Sequence, residues 1–151
     1  MNVGNGHTLK SEGTGLIELL PVKAHCDEEG ACVACSEGTY SSIEEAATCV
    51  ACPKGTYSSI EGASTCVACA AGKYLGTVGS DAETDCVLCG KGTYSPDTGS
   101  SLCVACGKGT YSTASGATNA ATCTSCLAGK YVASEGADEE SDCVLCAEGK
   151  Y

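Results

Sequence analysis

The chain has 151 residues, of which 19 are acidic and 8 are basic, so its formal net charge is −11. Fifteen residues are Cys, a fraction typical of small extracellular disulfide scaffolds, whereas 20 of the apolar residues are Ala, and Trp and Phe are absent. The large apolar side chains that fill a single core are therefore missing, which argues against a conventional globular enzyme, and the negative charge argues against nucleic acid and anionic membranes as partners.

Residues 1–25 form an N-terminal flank without Cys, for which the sequence predicts no particular structure. Both His residues of the chain, His7 and His25, lie in this flank, so no Ser-His-Asp or Cys-His arrangement can be assembled with the rest of the chain. The apolar run 16–20 is too short for a signal-peptide core and contains Glu18. No stretch approaches the roughly twenty apolar residues of a membrane span, so we predict neither a catalytic site nor a membrane span in this chain.

Residues 26–151 consist of seven tandem repeats of the motif C-x-x-C-x-x-G-x-Y, the last of them truncated. The motifs begin at Cys32, Cys49, Cys66, Cys86, Cys103, Cys123 and Cys143. Successive motifs are 17 or 20 residues apart, and the three extra residues always fall in the loop between the Tyr and the next Cys. A motif of fixed length with a loop of variable length predicts a packed junction joined to a surface loop.

Each motif ends in Gly-x-Tyr, as in 38–40, and every Tyr of the chain occupies this position. The Gly predicts a positive φ or a close approach of another backbone segment. We expect the Tyr ring to pack over a disulfide or a neighbouring repeat; the alternative is a row of exposed Tyr that contacts sugars or other ligands. Segments such as GTYSS and GKYVA favour short strands, and SSIEGAST and SPDTGSSL favour turns. No segment has a sustained 3.6-residue apolar period, so we expect little helix.

Fourteen of the fifteen Cys form C-x-x-C pairs, and Cys26 precedes the first pair. A disulfide within each pair would close a tight, strained ring, so bonds across the loops are more economical, each worth about 3 kcal/mol by the chain-entropy model. The predicted disulfides are Cys26–Cys32, Cys35–Cys49, Cys52–Cys66, Cys69–Cys86, Cys89–Cys103, Cys106–Cys123 and Cys126–Cys143. This pairing leaves Cys146 unpaired, as expected if the chain is a fragment of a longer array.

Two other cysteine chemistries compete with this pairing. The spacing of successive C-x-x-C pairs matches that of zinc ribbons, although seven pairs do not divide into four-Cys sites and the loops are acidic. Redox catalysis by C-x-x-C is the third interpretation, and it lacks a neighbouring His or a run of Lys to lower a thiol pKa.

Two of the long loops are rich in carboxylates, with Asp81, Glu83 and Asp85 in one and five acids between 135 and 142 in the other. Clustered carboxylates are calcium ligands, whereas the plainer interpretation is a solvated acidic loop. The third long loop, 112–122, has no acid, so calcium is not built into the repeat. We therefore predict no metal and no cofactor.

The unit C-x-x-C-x-x-G-T-Y-S, followed by a Gly-bearing loop and another C-x-x-C, resembles the cysteine-rich repeat of ephrin-receptor type A/B ectodomains. It is also similar to the related cysteine-rich modules of tumour-necrosis-factor and growth-factor receptors. The resemblance covers residues 32–151. It implies that the Cys before G-x-Y bonds the first Cys of the next pair, in agreement with the pairing above. The near identity of successive repeats differs from those receptors and is typical of large arrays in surface proteins of single-celled eukaryotes.

We therefore predict a small disulfide-rich protein, an elongated tandem-repeat rod of short β-strands and turns with little helix. Its expected function is that of a non-catalytic extracellular or cell-surface region, acting as a structural stalk or as a protein-interaction ectodomain with adhesive or receptor-like properties. Its expected partners are proteins, extracellular matrix or cell-surface components. The alternative function is an intracellular zinc-ribbon-like interaction module.

Overall fold

The structure, a computed structural model, describes residues 7–11, 17–21, 24–26, 32–43 and 48–148. Two antiparallel strand pairs come before the second motif. Strand β1 (His7–Ser11) pairs with β2 (Ile17–Pro21), and β3 (Ala24–Cys26) pairs with β4 (Cys32–Ala34). The flank, for which no structure was predicted, therefore contributes strands.

The motifs form a tandem series of two-residue antiparallel strand pairs. The x-Tyr dipeptide of one motif pairs with the x-x dipeptide of the next C-x-x-C, so that Thr39 lies opposite Ala51 and Tyr40 lies opposite Val50. The strands are β5 Thr39–Tyr40, β6 Val50–Ala51, β7 Thr56–Tyr57, β8 Val67–Ala68, β9 Lys73–Tyr74, β10 Val87–Leu88, β11 Thr93–Tyr94, β12 Val104–Ala105, β13 Thr110–Tyr111, β14 Thr124–Ser125, β15 Lys130–Tyr131 and β16 Val144–Leu145. The predicted tandem short strands are thus confirmed.

The only helices among the described residues are three single 3-10 turns, so the prediction of little helix is also confirmed. They are Glu83–Asp85, Ala120–Thr122 and Glu140–Asp142. Each lies just before a Cys in one of the three long loops, so the three-residue insertion is accommodated where a short turn of helix forms.

In the first six motifs a tight turn connects the C-x-x-C to the strand that follows it. In the first motif the Thr39 N–H donates to the Ser36 carbonyl at 3.0 Å, and the Thr39 hydroxyl donates to the same oxygen at 2.7 Å. Gly38 occupies the third position of this turn with φ +76°. A turn with positive φ at its third position strongly favours Gly there, which explains why every motif has Gly at this point.

The buried interior consists mainly of sulfur and small side chains, with only two large aliphatic side chains among the described residues. The second Cys of each of the first five motifs is at most 1% exposed. The residue after each Tyr is also buried, and it is Ser in four of the repeats and Leu75 or Val132 in the others. This interior agrees with a composition too poor in large apolar residues for an ordinary core.

The chain divides into two compact units. One comprises Met1–Val67 and Val78–Asp85, and the other comprises Ala68–Thr77 and Cys86–Tyr151. The first unit contains the disulfides Cys35–Cys49 and Cys52–Cys66. The second contains the other four disulfides described below.

Candidate functional site

Six disulfides link successive motifs, with Cα–Cα distances of 5.6 to 5.8 Å. Each joins the second Cys of one motif to the first Cys of the next and so encloses one Gly-x-Tyr and one loop. The pairs are Cys35–Cys49, Cys52–Cys66, Cys69–Cys86, Cys89–Cys103, Cys106–Cys123 and Cys126–Cys143. The closed loops span 14 or 17 residues, according to whether the loop carries the insertion.

The remaining cysteines are Cys26, Cys32 and Cys146. The proposed Cys26–Cys32 disulfide lies outside the residues whose side chains are described, although the two residues face each other in the backbone register of β3 and β4. Cys146 is the free cysteine of the described region and is partly exposed. Because twelve cysteines are bonded to each other, they offer no thiolate for zinc or for redox catalysis, and the zinc-ribbon alternative is not favoured.

At four of the motifs, three backbone hydrogen bonds join the motif to the loop of the next repeat, and we call this set the junction. At the fourth motif the bonds run from Gly116 N to Cys89 O (2.7 Å), from Gly92 N to Ser112 O (2.7 Å) and from Ser95 N to Ala117 O (2.9 Å). The same three bonds form at the motifs that begin at Cys32, Cys66 and Cys103. Because the junction uses only backbone groups, it constrains side chains by size alone.

In three motifs the Gly also lies against the loop of the second repeat along the chain. A Cβ built on Gly92 would overlap the carbonyl oxygen of Gly136 and would lie 2.9 Å from the carbonyl oxygen of Ala137. Gly38 approaches Gly79 and Gly72 approaches Gly116 in the same way. The prediction that the motif Gly needs a positive φ or a close approach is confirmed on both counts, since φ of Gly92 is +71°.

The loops contain a second structural Gly that the sequence analysis did not single out. It lies five residues after the Tyr and has positive φ. Its N–H donates to the backbone carbonyl of the second Cys in the motif of the previous repeat. The set consists of Gly62, Gly79, Gly99, Gly116 and Gly136. The sequence carries a signal for this Gly, because its distance from the Tyr is constant. Its distance from the next Cys varies, because the three-residue insertion falls between this Gly and that Cys.

The acidic side chains of the long loops close their own turns. A carboxylate oxygen of Asp142 accepts hydrogen bonds from the N–H groups of Asp138 (3.1 Å) and Glu139 (3.2 Å). Asp85 accepts from the N–H of Ala82 in another long loop, at 3.3 Å. Within the described region no three His, Cys, Asp or Glu side chains are grouped so that they could hold a metal ion. Capping of the local turns therefore accounts for Asp85 and Asp142.

The Tyr side chains of the first five motifs are mostly buried, whereas Tyr131 in the sixth motif is 48% exposed. A row of fully exposed Tyr is thus not what the fold presents. In the sheet register Tyr40, Tyr74, Tyr94 and Tyr131 each lie directly opposite the Val of the next C-x-x-C. Residues opposite each other in an antiparallel pair share one face of the sheet, so each such hairpin has a Tyr–Val pair on one face.

Small modules linked in series by disulfides, with a sulfur-rich interior, define a tandem cysteine-rich repeat protein. No helix in the described ranges has the length and apolar character needed to cross a membrane. Disulfides of this density are typical of extracellular and cell-surface proteins.

The family model described as tyrosine-protein kinase ephrin type A/B receptor-like matches the chain three times, at residues 38–86, 76–123 and 92–143. These matches together span residues 38–143, more than half of the chain, and the chain belongs to this family. The resemblance inferred from the motifs is confirmed. No curated protein matches the chain. The family and the disulfides together point to an extracellular or cell-surface module.

Proposed function

We propose that this chain is a non-catalytic region of a larger extracellular or cell-surface protein, serving as a structural stalk or as a protein-interaction ectodomain. Its partners would be other proteins, extracellular matrix or cell-surface components. The observation that carries the proposal is the junction, reinforced by one disulfide per loop. The three junction bonds form at four motifs, and one disulfide closes each of the six loops.

The stabilisation that each disulfide provides supports a structural role. Each disulfide closes a loop of 14 or 17 residues, which removes about 3 kcal/mol of unfolded-state entropy in the chain model. A chain whose interior holds mainly sulfur, Ser and Ala needs such a contribution from every repeat. The fold is therefore suited to persist outside the cell, where disulfides are stable.

The test compares two variants of the oxidised chain. The paired substitution Cys126→Ser with Cys143→Ser removes one disulfide, whereas Cys146→Ser removes the free thiol. We expect the paired variant to lose about 3 kcal/mol of local stability in urea unfolding and to become sensitive to proteolysis in the loop between those positions. Cys146→Ser should behave as the parent chain does.

Mass mapping without reduction supplies the companion measurement. We expect one alkylated thiol, at Cys146, and a linked peptide that contains Cys26 and Cys32. A circular dichroism spectrum and a protease pattern unchanged by a strong reductant would contradict the proposal, because the fold would then not depend on its disulfides. Zinc in stoichiometric amounts, with all fifteen cysteines alkylated only after chelation, would restore the zinc alternative.

A further inference from the structure

Nearly all aliphatic side chains of the repeats lie on the outside of the protein. Thirteen of the fifteen Val, Ile and Leu residues after Cys26 are exposed, and only Leu75 and Val132 are buried. In most soluble proteins such side chains form the core. Exposed apolar side chains that lie side by side, unlike single scattered ones, are candidates for contact with a partner.

Six of the seven exposed Val residues occupy one fixed position, the second residue of C-x-x-C. Val87, Val104 and Val144 in the second compact unit are 50%, 44% and 50% exposed. Each lies directly opposite a Tyr in its hairpin, namely Tyr74, Tyr94 and Tyr131 in that order. We call each of these three an apolar pair. The two side chains share a face of the sheet, so each hairpin presents an aromatic and an aliphatic group side by side.

The fold itself does not require Val at this position. In the sixth motif the same position is Thr124, which is exposed and pairs with Tyr111 in the same register. Thr has the same shape as Val and carries a hydroxyl in place of one methyl group. A polar side chain is therefore compatible with the hairpin, and the Val residues elsewhere add apolar surface that the hairpin does not need.

The charge of the protein selects the kind of partner that fits this surface. The chain has a net charge of −11, and carboxylates lie near the exposed Val residues in the sequence, as Asp85 precedes Val87 and Asp142 precedes Val144 by two positions. A second copy of the chain would bring like charges together, and anionic lipid would be repelled. A basic polypeptide with aliphatic side chains complements both the charge and the apolar pairs.

We propose that the apolar pairs are binding subsites for a basic polypeptide that alternates cationic and aliphatic side chains. This inference rests on the protein-interaction form of the proposed function and gives the chemistry of the partner. In an extended peptide, alternate side chains point to opposite sides, so one side supplies the aliphatic contacts and the other remains charged. The apolar side chains supply the specificity, and the acidic surface raises the rate of encounter.

The experiment uses the full oxidised chain and two labelled synthetic peptides, one alternating Lys with Val and the other alternating Lys with Ser. Fluorescence anisotropy measures both affinities at physiological salt. We expect the Lys–Val peptide to bind at least about 10-fold more tightly than the Lys–Ser peptide. The triple variant Val87→Thr, Val104→Thr and Val144→Thr should lose this preference, and Thr124→Val should increase it. Disulfide mapping confirms that each variant keeps its bonds.

Four results would overturn the inference. Equal affinity for the two peptides would mean that charge alone drives binding, and an unchanged preference in the triple variant would place the contact elsewhere. Self-association that requires the Val residues, seen by sedimentation, would show that a second copy covers the surface. Val-dependent binding to neutral phosphatidylcholine vesicles, without peptide preference, would identify lipid as the occupant. In each case the disulfide-linked structural role would stand, because its test depends on reduction and not on these positions.

Discussion

The contact between Gly92 and the loop two repeats further along the chain predicts a large and specific effect of adding a single methyl group. Gly92→Ala places a Cβ on the carbonyl oxygen of Gly136 and near that of Ala137. Gly109→Ala is the matched control. Gly109 occupies the same position of the next motif with φ +79°, and its Cβ would meet nothing within 4 Å.

The two substitutions share one cost and differ in another. Both place Ala at positive φ, a conformation that costs an L-residue about 1 kcal/mol or slightly more. Only Gly92→Ala must also displace a backbone segment, and overpacking of this kind costs about 1–3 kcal/mol. We therefore expect Gly109→Ala to destabilise by about 1 kcal/mol and Gly92→Ala by about 3 kcal/mol.

Urea unfolding of the oxidised proteins measures the difference, with hydrogen exchange as a local readout. With a typical slope of about 1–2 kcal/mol per molar urea, the two midpoints should differ by about 1 M or more. Amide exchange should accelerate at Gly136, whose N–H donates to Cys106 in the junction, in the Gly92 variant but not in the Gly109 variant. Equal midpoints and equal exchange in the two variants would refute the reasoning, because the overlap would then have no energetic consequence.

Two further predictions concern the long loops. Deletion of residues 119–121 gives the fifth loop the length of a short loop, and the deleted residues lie beyond the junction, which ends at Ala117. Disulfide mapping should therefore still find Cys106 bonded to Cys123, and the free energy of unfolding should change by less than about 1 kcal/mol. A scrambled pairing would show that the insertion matters to the fold. Asp142→Ala removes the acceptor of two loop N–H groups, so it should lower the free energy of unfolding by about 1 kcal/mol and speed the exchange of those amides. The control Asp138→Ala should lower the free energy of unfolding by less than about 0.5 kcal/mol. Equal effects of the two substitutions would argue against capping by Asp142.

The local structure of the repeats could be predicted from the sequence because it depends on interactions within a few residues. The Gly of Gly-x-Tyr is required by a turn that spans Ser36 to Thr39, and β-formers such as Thr and Tyr follow it directly. The scarcity of large apolar residues likewise predicts an interior of sulfur and small side chains. These are properties that any single repeat carries in its own sequence.

The contacts between repeats were not predictable in the same way. The approach of Gly92 to Gly136 joins segments 44 positions apart, and no periodicity within one motif specifies which loop a motif will meet. The strands of the N-terminal flank were missed for a different reason, since β1 and β2 are single strands without a repeat to reveal them. Sequence periodicity predicts the structure of one repeat, but it does not determine which later repeat each repeat contacts.

The same structure explains why the repeats combine a constant motif with variable loops and an apolar exterior. Stability comes from disulfides and from junction bonds between backbone groups, neither of which depends on the identity of most loop side chains. Only small residues fit where the backbone segments meet, as at Ala117 and Ala137, which are each 6% exposed. The second residue of C-x-x-C is exposed and can be polar, as Thr124 is, so an aliphatic residue that recurs there, as Val104 does, has no role in the core. Its recurrence is better explained by what it contacts outside the chain, and this is the reason to test the apolar pairs before any other surface of the protein.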